Sequence, residues 1–164
     1  MKEVALGLKC LHDNNYLHLD IKTENMMYRR ENETTLTGVL IDYGFIQYNP
    51  SGKSFYSQHP RITHGYEPPS AFEEIDNGKT KYIVYGKYNS ASDIWSLGIS
   101  FGEIIANGNQ MISRKERSKS TLIKLFNEDN ISDTLEKKVF KYAKFSDEKE
   151  KTLLKDLLLS LIHI

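Results

Sequence analysis

The chain has 164 residues and no net charge, because its 22 lysines and arginines are balanced by 22 aspartates and glutamates. This length is sufficient for one domain with a substantial hydrophobic core. The balanced charge argues against a general nucleic-acid binder or a binder of anionic membranes, since both classes carry a basic excess. The single cysteine excludes an internal disulfide framework. Together with the lack of a recognisable leader or a long apolar run, it favours an intracellular, cytoplasmic location.

Apolar residues at helical spacing begin with the first residue of the chain and define one helix face: Met1, Val4, Ala5, Leu8 and Leu11. No Ser, Thr or Asp cap precedes them. Residues 153–162 form a second apolar stripe that is rich in leucine, and no Gly or Asn closes it. We therefore expect a fragment that begins and ends within helices.

Short strands and irregular segments are predicted between these two stripes. Residues 25–28 and 39–41 are short apolar runs typical of strands, and the polar stretch 29–38 separates them. Residues 49–89 hold all 4 prolines and are predicted to be mostly irregular. A long irregular connection inside a compact domain is often functional, so this segment is a candidate for part of a site.

Two features of the second half of the chain predict helices. Residues 91–106 are apolar nearly all round, which is typical of a helix buried at the centre of a domain. Asp133 is followed three residues later by Glu136, which is the spacing of a capping box and predicts a helix start at this point. The predicted fold class is therefore α+β and mostly α-helical.

Polar chemistry is concentrated after the first helix, where residues 18–25 read H-L-D-I-K-T-E-N. Asp20 supplies a proton acceptor, Lys22 a cation and Asn25 an amide oxygen, a set suited to a phosphate and its metal ion. A second carboxylate, Asp42, follows the apolar run 39–41 and precedes a glycine that frees the backbone. Each motif alone is weak, because an aspartate at a strand end is more often a turn residue.

The order and spacing of the motifs resemble the large, C-terminal lobe of the eukaryotic protein kinases. Residues 18–25 are similar to the catalytic loop H-R-D-L-x-x-x-N, and D-Y-G at 42–44 is similar to the metal motif D-F-G. T-H-G-Y-E-P-P-S at 63–70 resembles the end of the activation segment, T-x-x-Y-x-A-P-E. D-I-W-S-L-G at 93–98 resembles D-x-W-S-x-G, which opens the central helix of that lobe.

The resemblance implies a partial kinase domain over residues 1–164, with a short β segment around the catalytic loop and without the small lobe. The catalytic loop would be 18–25, the activation segment 42–70 and the central helix about 91–106. The sequence contains no glycine-rich loop of the G-x-G-x-x-G type and no V-A-I-K strand before the catalytic loop. The small lobe would be needed to complete an ATP site.

The resemblance also implies the roles of the reacting residues, with ATP and Mg²⁺ as cofactors. Asp20 would act as the base for the substrate hydroxyl, and Lys22 would contact the γ-phosphate. Asn25 and Asp42 would hold Mg²⁺. Thr63 would hydrogen-bond near Asp20 and Lys22, and would thereby tie the substrate platform to the catalytic loop.

A further set of residues is implied to form the substrate platform and its support: His18, Tyr43, Gly44, Gly65, Tyr66, Pro68, Asp93 and Trp95. Gly65, Tyr66 and Pro68 would line the acceptor site. Asp93 would accept hydrogen bonds from backbone N–H groups of the catalytic loop, whereas Trp95 would lie in the core. His18 and Tyr43 would pack in the apolar column that links the two lobes.

The kind of substrate follows from the same resemblance. Members that act on Ser or Thr resemble D-x-K-x-x-N in the catalytic loop, as Asp20, Lys22 and Asn25 do here. Thr63 also matches these members. We therefore expect a protein substrate with a Ser or Thr acceptor, and no residue pattern identifies that substrate further.

The chain departs from the pattern at several points. Leu19 stands where most members have an arginine that receives an activation-segment phosphate, so we predict activity that does not depend on such a phosphate. Ser70 replaces the glutamate of A-P-E, whose partner is normally a late arginine. Residues 72–86 look like an insertion, either a solvated loop or a docking surface.

Three interpretations are compatible with the sequence. The first is a fragment of an active Ser/Thr kinase, which would be inactive as the isolated chain. The second is a pseudokinase or a scaffold and binding module, favoured by Leu19, Ser70 and the absent small-lobe motifs. The third is a small-molecule kinase of the antibiotic-phosphotransferase kind, which would not explain the matches at 63–70 and 93–98.

Overall fold

Helices carry most of the regular structure in the computed structural model, which describes residues 1–57, 61–71, 74–76, 81–83, 86–116, 119–126, 129–145 and 147–162. The helices of these residues are α1 (Lys2–Asp13), α2 (Ser90–Ile105), α3 (Lys119–Phe126), α4 (Ile131–Leu135) and α5 (Glu148–Ile162). A π-helical turn, Glu136–Phe140, continues directly from α4. None of the described helices is both long enough and apolar enough to cross a membrane.

The described strands are short and form antiparallel pairs. In chain order they are β1 (Tyr16–Leu17), β2 (Met26–Arg30), β3 (Leu36–Leu40), β4 (Gln47–Tyr48), β5 (Phe55–Ser57), β6 (Glu74–Asp76), β7 (Lys81–Ile83) and β8 (Gly86–Tyr88). The pairs are β1 with β4, β2 with β3, β5 with β8, and β6 with β7. The prediction of a mainly helical fold with short strands is confirmed.

The longest strand pair, β2 and β3, lies beside α1. Its register places Met26 opposite Leu40, and the strands extend further into the polar stretch 29–38 than the apolar runs indicate. Gly38 of β3 lies close to Val4 of α1, because a Cβ atom on Gly38 would be 3.0 Å from Val4 Cγ2. Val4 is buried. The absence of a side chain at this strand position therefore allows the helix to approach the sheet closely.

Helix α2 lies at the centre of the core, where most of its residues are buried. The indole ring of Trp95 packs edge-on against the ring of Phe126 from α3, with centroids 5.1 Å apart. Gly102 leaves room for the buried Met111 side chain, since a Cβ atom at this position would overlap that side chain unless it moved. Burying one large apolar side chain contributes about 1.5–3 kcal/mol to the free energy of unfolding. The burial of the many apolar side chains of α2 is therefore a large part of the stability of the fold.

The predicted helix start at Asp133 is wrong. The helix begins at Ile131, so Asp133 lies inside α4 and its carboxylate accepts a hydrogen bond from Lys137 Nζ at 2.6 Å. A side chain engaged with the next turn of the helix does not cap its start. A capping arrangement is found at α2 instead, where the Asn89 N–H donates to Ser92 Oγ at 3.1 Å.

The predicted insertion at 72–86 lies partly outside the described residues. Within it, β6 pairs with β7 and places Ile75 opposite Tyr82. Ser70, the departure from the kinase pattern just before this segment, is exposed in a short 3-10 turn, Pro69–Ala71. An exposed serine needs no charged partner, so the substitution leaves no buried charge unpaired on this side.

Candidate active site

Asp93 of α2 fixes the segment that carries the H-L-D motif. Its side chain is fully buried, and its two carboxylate oxygens accept the backbone N–H groups of His18 and Leu19, each at 2.8 Å. The imidazole Nε2 of His12, at the end of α1, lies 2.9 Å from the same carboxylate. Charge-assisted hydrogen bonds to Asp93 therefore attach the loop to the central helix, and such bonds are about twice as strong as neutral ones.

The Asp20 carboxylate is the centre of a hydrogen-bonded cluster of side chains. Lys22 Nζ donates to its Oδ2 at 2.8 Å, and Asn25 Nδ2 donates to the same oxygen at 3.0 Å. Thr63, from a segment far along the chain, donates its hydroxyl to Oδ1 at 2.5 Å. Lys22 Nζ also donates to Thr63 Oγ1 at 3.1 Å. The fold thus brings together all four of these sequence-predicted residues.

The Asp20 carboxylate is held in its charged form. Burial alone raises the pKa of Asp20, but the hydrogen bonds from Lys22 and Thr63 and the charge of Lys22 outweigh it. The pKa of Asp20 is therefore lowered below its ordinary value of 3.8. At neutral pH this side chain can accept a hydrogen bond from a hydroxyl group and orient it.

Asn25 and Asp42 occupy adjacent ends of the β2–β3 pair, where the Ile41 N–H donates to the Asn25 carbonyl at 2.9 Å. Both hydrogens of the Asn25 amide are used, because Nδ2 donates to Asp20 O at 2.8 Å and to Asp20 Oδ2 at 3.0 Å. This leaves the amide Oδ1 as an acceptor. Asp42 is exposed, and its Oδ1 accepts the Gly44 N–H at 3.2 Å.

This donor set fits a hard divalent cation. Amide and carboxylate oxygens are the ligands that Mg²⁺ prefers, and Mg²⁺ is usually held by one or two side chains together with water and phosphate oxygens. Among the described residues, no group of three His, Cys, Asp or Glu side chains could hold a metal ion. Asn25 and Asp42 are therefore the candidate ligands, and substrate phosphates would have to complete the coordination.

The backbone at the metal motif differs from the expectation in one detail. The residue with a left-handed conformation is Asp42, with φ of 62°, rather than the glycine that follows it. Gly44 instead contributes its N–H to the Asp42 carboxylate, and a Cβ atom on Gly44 would lie 3.2 Å from Asp42 Oδ1. A left-handed Asp is tolerated because its short polar side chain can hydrogen-bond locally.

His18 joins the catalytic loop to the metal motif. Its ring lies 5.3 Å from the ring of Tyr43, and its Nε2 is 3.2 Å from the Ile41 carbonyl. The Asp20 N–H donates to Nδ1 at 3.3 Å, so the bonding pattern assigns a neutral ring with its proton on Nε2. Burial lowers the pKa of His18 below 6.5, although the charge of Asp93 acts in the opposite direction.

Tyr66 anchors the acceptor loop, here defined as residues 63–67, to α2. Its hydroxyl donates to Glu103 Oε2 at 2.6 Å and lies 3.2 Å from Thr23 Oγ1. Its carbonyl accepts the Ser96 hydroxyl at 2.8 Å, and its N–H donates to the Thr63 carbonyl at 3.1 Å. Burial and the neighbouring Glu103 raise the pKa of Tyr66, so the phenol stays a donor.

The remaining predicted residues support the site without touching its centre. Gly65 and Pro68 are buried in and beside the acceptor loop, and the Pro68 carbonyl accepts the Ala71 N–H at 2.9 Å. Trp95 lies in the core against α3. The Tyr43 hydroxyl donates to the Leu40 carbonyl at 2.9 Å, so the hydroxyl that distinguishes it from phenylalanine has a partner.

Sequence reasoning missed several residues that hold the site: His12, Thr23, Glu67, Ser96 and Glu103. Ser96 occupies the serine of D-x-W-S-x-G, so the motif could have pointed to it. The others stand at positions that no motif specifies, and each makes its contact across the fold or within a tight turn. Thr23 lies inside the catalytic loop but at a variable position of the motif. Only the three-dimensional packing of α1, α2 and the acceptor loop reveals their partners.

Comparison with known proteins gives one family and a set of partial relatives. The chain is 33% identical over 132 residues to cyclin-dependent kinase C-1 of Oryza sativa subsp. japonica, which is 77% of this chain and 21% of that kinase. It is 29% identical over 112 residues to human ephrin type-B receptor 3, covering 66% of this chain and 10% of the receptor.

A third relative is the membrane-associated tyrosine- and threonine-specific cdc2-inhibitory kinase of Drosophila melanogaster. It is 33% identical over 102 residues, which is 62% of this chain and 16% of that kinase. The chain thus spans 10% to 21% of the length of these relatives. The family profile described as "Protein kinase domain" matches residues 1–163, nearly the whole chain. The chain therefore belongs to the protein kinase domain family.

Proposed function

We propose that the protein containing this chain transfers the γ-phosphate of ATP to Ser or Thr hydroxyls of protein substrates. The observation that carries the proposal is the arrangement around Asp20, whose carboxylate accepts an alcohol hydroxyl from Thr63 and an ammonium group from Lys22. A substrate hydroxyl is the same kind of donor as the Thr63 hydroxyl. The lysine places a positive charge beside the position where a transferring phosphate would develop negative charge.

Each residue would act at a stated atom. Asp20 would orient the substrate hydroxyl and take its proton, while the hydroxyl oxygen bonds to the γ-phosphorus and the bond from that phosphorus to ADP breaks. Lys22 would hold an oxygen of the transferring phosphate. Asn25 Oδ1 and the Asp42 carboxylate would bind Mg²⁺, which neutralises charge between the phosphates when bound.

The choice of a Ser or Thr acceptor rests on Lys22 and Thr63. Lys22 stands two residues after Asp20, as in the Ser/Thr members that the motif resembles, and its Nζ reaches both Asp20 and Thr63. The Drosophila relative is named as a kinase specific for both tyrosine and threonine. The acceptor class is therefore a proposal of its own, which is tested with matched peptides below.

We also propose that this chain is the large lobe, and that a small lobe is needed to complete the ATP site. Exposed apolar side chains near the metal motif support this assignment. Tyr43 is 48% exposed, and Phe45 and Ile46 are also exposed, as is Met27 on β2. An apolar group of this kind marks a surface that a further unit covers. We expect no phosphate transfer by the isolated chain.

A scaffold or pseudokinase function is the second candidate, and Leu19 favours it. Its side chain is fully buried in the core, at the position where the resemblance has a regulatory arginine. A protein that only binds partners has no need of that arginine. The intact set of Asp20, Lys22, Asn25 and Asp42 favours catalysis instead.

The test is a phosphorylation assay on the full-length protein with Mg²⁺ and ATP. The substrates are peptide libraries that differ only in the acceptor, which is Ser, Thr or Tyr. We expect Ser and Thr peptides to be phosphorylated and Tyr peptides to be left unlabelled. Asp20→Asn should reduce the rate by about 10²–10⁴-fold, because the base would be lost.

The matched control is Asp133→Asn, which removes an exposed carboxylate on α4 and should leave the rate unchanged. Labelling of Tyr peptides alone would contradict the acceptor class. Binding of Mg²⁺ and ATP without transfer to any library would favour the scaffold function. Transfer by the isolated chain at the rate of the full-length protein would contradict the need for a small lobe.

A further inference from the structure

The acceptor loop contains a buried carboxylate that has no part in the proposed chemistry. Glu67 is only 6% exposed. Its Oε2 accepts the backbone N–H of Gly65 at 2.6 Å, and its Oε1 lies 2.6 Å from Nδ1 of His64. Both contacts are short, and both partners belong to the same loop.

A buried carboxylate is costly unless hydrogen bonds and charge compensate it. For Glu67 the two loop contacts supply this compensation. The His64 side chain is largely exposed, so its ring shields the carboxylate on the solvent side. A carboxylate in this setting makes charge-assisted hydrogen bonds, which are stronger than those of a neutral side chain. Because the buried Glu67 carboxylate is unfavourable without these two contacts, the loop conformation that provides both contacts is favoured over the others.

Glu67 closes the tight turn of the acceptor loop from the inside. Gly65 is buried and has φ of 102°, a left-handed conformation that glycine adopts without strain. The Tyr66 N–H donates to the Thr63 carbonyl across the same turn at 3.1 Å. At one end of the turn, the Thr63 hydroxyl donates to Asp20. The Glu67 carboxylate, which closes the turn, is therefore in a position to set the direction of the Thr63 hydroxyl.

The conformation of the acceptor loop has to be stabilised by residues of the loop itself. Leu19, which is fully buried and apolar, offers no positive charge to a phosphate on the activation segment. We infer that Glu67 is a positioning residue that locks the acceptor loop through the Gly65 N–H and His64, and so holds Thr63 on Asp20 without a phosphate. The inference rests on the proposed protein kinase activity and deepens it.

The first test measures the loop itself and does not depend on activity. In the full-length protein, hydrogen exchange of the Gly65 amide is compared between the wild type, Glu67→Ala and Glu67→Gln. We expect Glu67→Ala to speed exchange at Gly65 by at least about tenfold, which corresponds to about 1.4 kcal/mol of lost protection. Glu67→Gln keeps an acceptor oxygen for the Gly65 N–H and should retain part of the protection.

The second test separates positioning from general damage. We expect Glu67→Ala to raise KM for the peptide substrate by about tenfold and to leave KM for ATP unchanged, with Glu67→Gln between the two. The matched control is Glu31→Gln, which changes an exposed glutamate paired with Arg29 and should alter neither constant. If Glu67→Ala does not fold, the Gln variant alone must show the rise in peptide KM.

The outcomes distinguish the two proposals. Wild-type exchange at Gly65 in Glu67→Ala would overturn the locking role, and so would equal rises in KM for peptide and ATP. Failure of the wild type to phosphorylate any peptide would overturn the proposed activity alone, because the exchange comparison still decides whether Glu67 locks the loop. A selective loss of Gly65 protection together with a selective rise in peptide KM would support the inference.

Discussion

The two halves of the candidate site are built differently. The acceptor half, formed by residues 18–25 and the acceptor loop, is mostly buried and is tied to α2 and to itself by hydrogen bonds. The metal half, residues 42–46, is exposed throughout. Its Asp42 carboxylate accepts a hydrogen bond from the neighbouring Gly44 and, among the described residues, makes no bond to the Asp20 cluster.

The difference indicates which part of the proposed reaction this chain prepares by itself. Side chains held by buried hydrogen bonds are already oriented for a substrate and lose little freedom on binding. An exposed carboxylate with one local contact must still be ordered by its ligand or by a covering unit. We therefore expect the acceptor half to persist under perturbations that alter the metal half.

The largest effect should come from Asp93→Asn, which removes one of the two carboxylate oxygens that hold the acceptor half on α2. The amide can accept from only one of the His18 and Leu19 N–H groups, and its own NH₂ would face the other donor at a fully buried position. We expect a loss of about 3–5 kcal/mol in the free energy of unfolding, measured by urea titration. The substitution should speed hydrogen exchange in residues 18–25 more than in residues 42–46.

The control for this prediction is the exposed Asp133→Asn, whose pair with Lys137 lies on a helix surface. Such pairs contribute about 0.3–0.5 kcal/mol, so this variant should be nearly neutral. A change below about 1 kcal/mol in Asp93→Asn would show that the loop does not depend on its anchor, and the contrast between the two halves would then fail.

This anchor also shows how far the sequence leads. The resemblance of residues 93–98 to D-x-W-S-x-G implies that Asp93 accepts hydrogen bonds from N–H groups of the catalytic loop, and the structure contains two of them. The third contact, from His12, has no signal in the sequence, because it requires the end of α1 to meet the start of α2. Contacts between two recognised motifs can be predicted from the sequence. Contacts made by residues outside any motif can be identified only in the folded structure.

Glu67 and Asp133 show the same limit in opposite directions. Glu67 stands at a variable position of the motif at 63–70, and its role appears only when the turn around Gly65 buries it. Asp133 has the spacing of a helix cap with Glu136, but the helix begins before it and Lys137 takes its carboxylate. A short polar spacing fits both a cap and a surface ion pair, and the position of the helix decides between them.

A smaller, pH-dependent effect should arise at His18, which bridges the two halves. Because burial lowers the pKa of His18 in the folded protein, the unfolded chain takes up a proton as the pH falls below about 6.5 while the folded chain resists it. The stability contributed by the neutral ring is therefore complete above this pH and is lost below it. Urea titrations at pH 7.5 and 5.5 measure the difference.

The comparison variant for this prediction is His18→Gln, which removes the titrating ring and leaves the other histidines in place. Its stability should fall less than that of the wild type between the two pH values. Asp20 does not contribute in this range, because its pKa is lowered below 3.8 and its stabilisation is lost only as the pH falls through that lower value. An equal or steeper fall in the variant would contradict a buried neutral His18.

The smallest effect should follow the removal of the hydroxyls on the segment between the two halves, where a regulatory phosphate would be added. The combined variant changes Ser51, Ser54 and Ser57 to Ala and Tyr56 to Phe in the full-length protein. Leu19 offers no charge to a phosphate, and Ser57 is buried with its Oγ accepting Arg61 Nε at 3.1 Å. We expect the phosphorylation rate to stay within about twofold, because the described contacts of these hydroxyls, such as Ser54 Oγ with Asn89 and Ser57 Oγ with Arg61, lie outside the Asp20 cluster. A collapse of activity with unchanged thermal stability would show that a phosphate orders the acceptor half after all, and would remove the reason for assigning that role to Glu67.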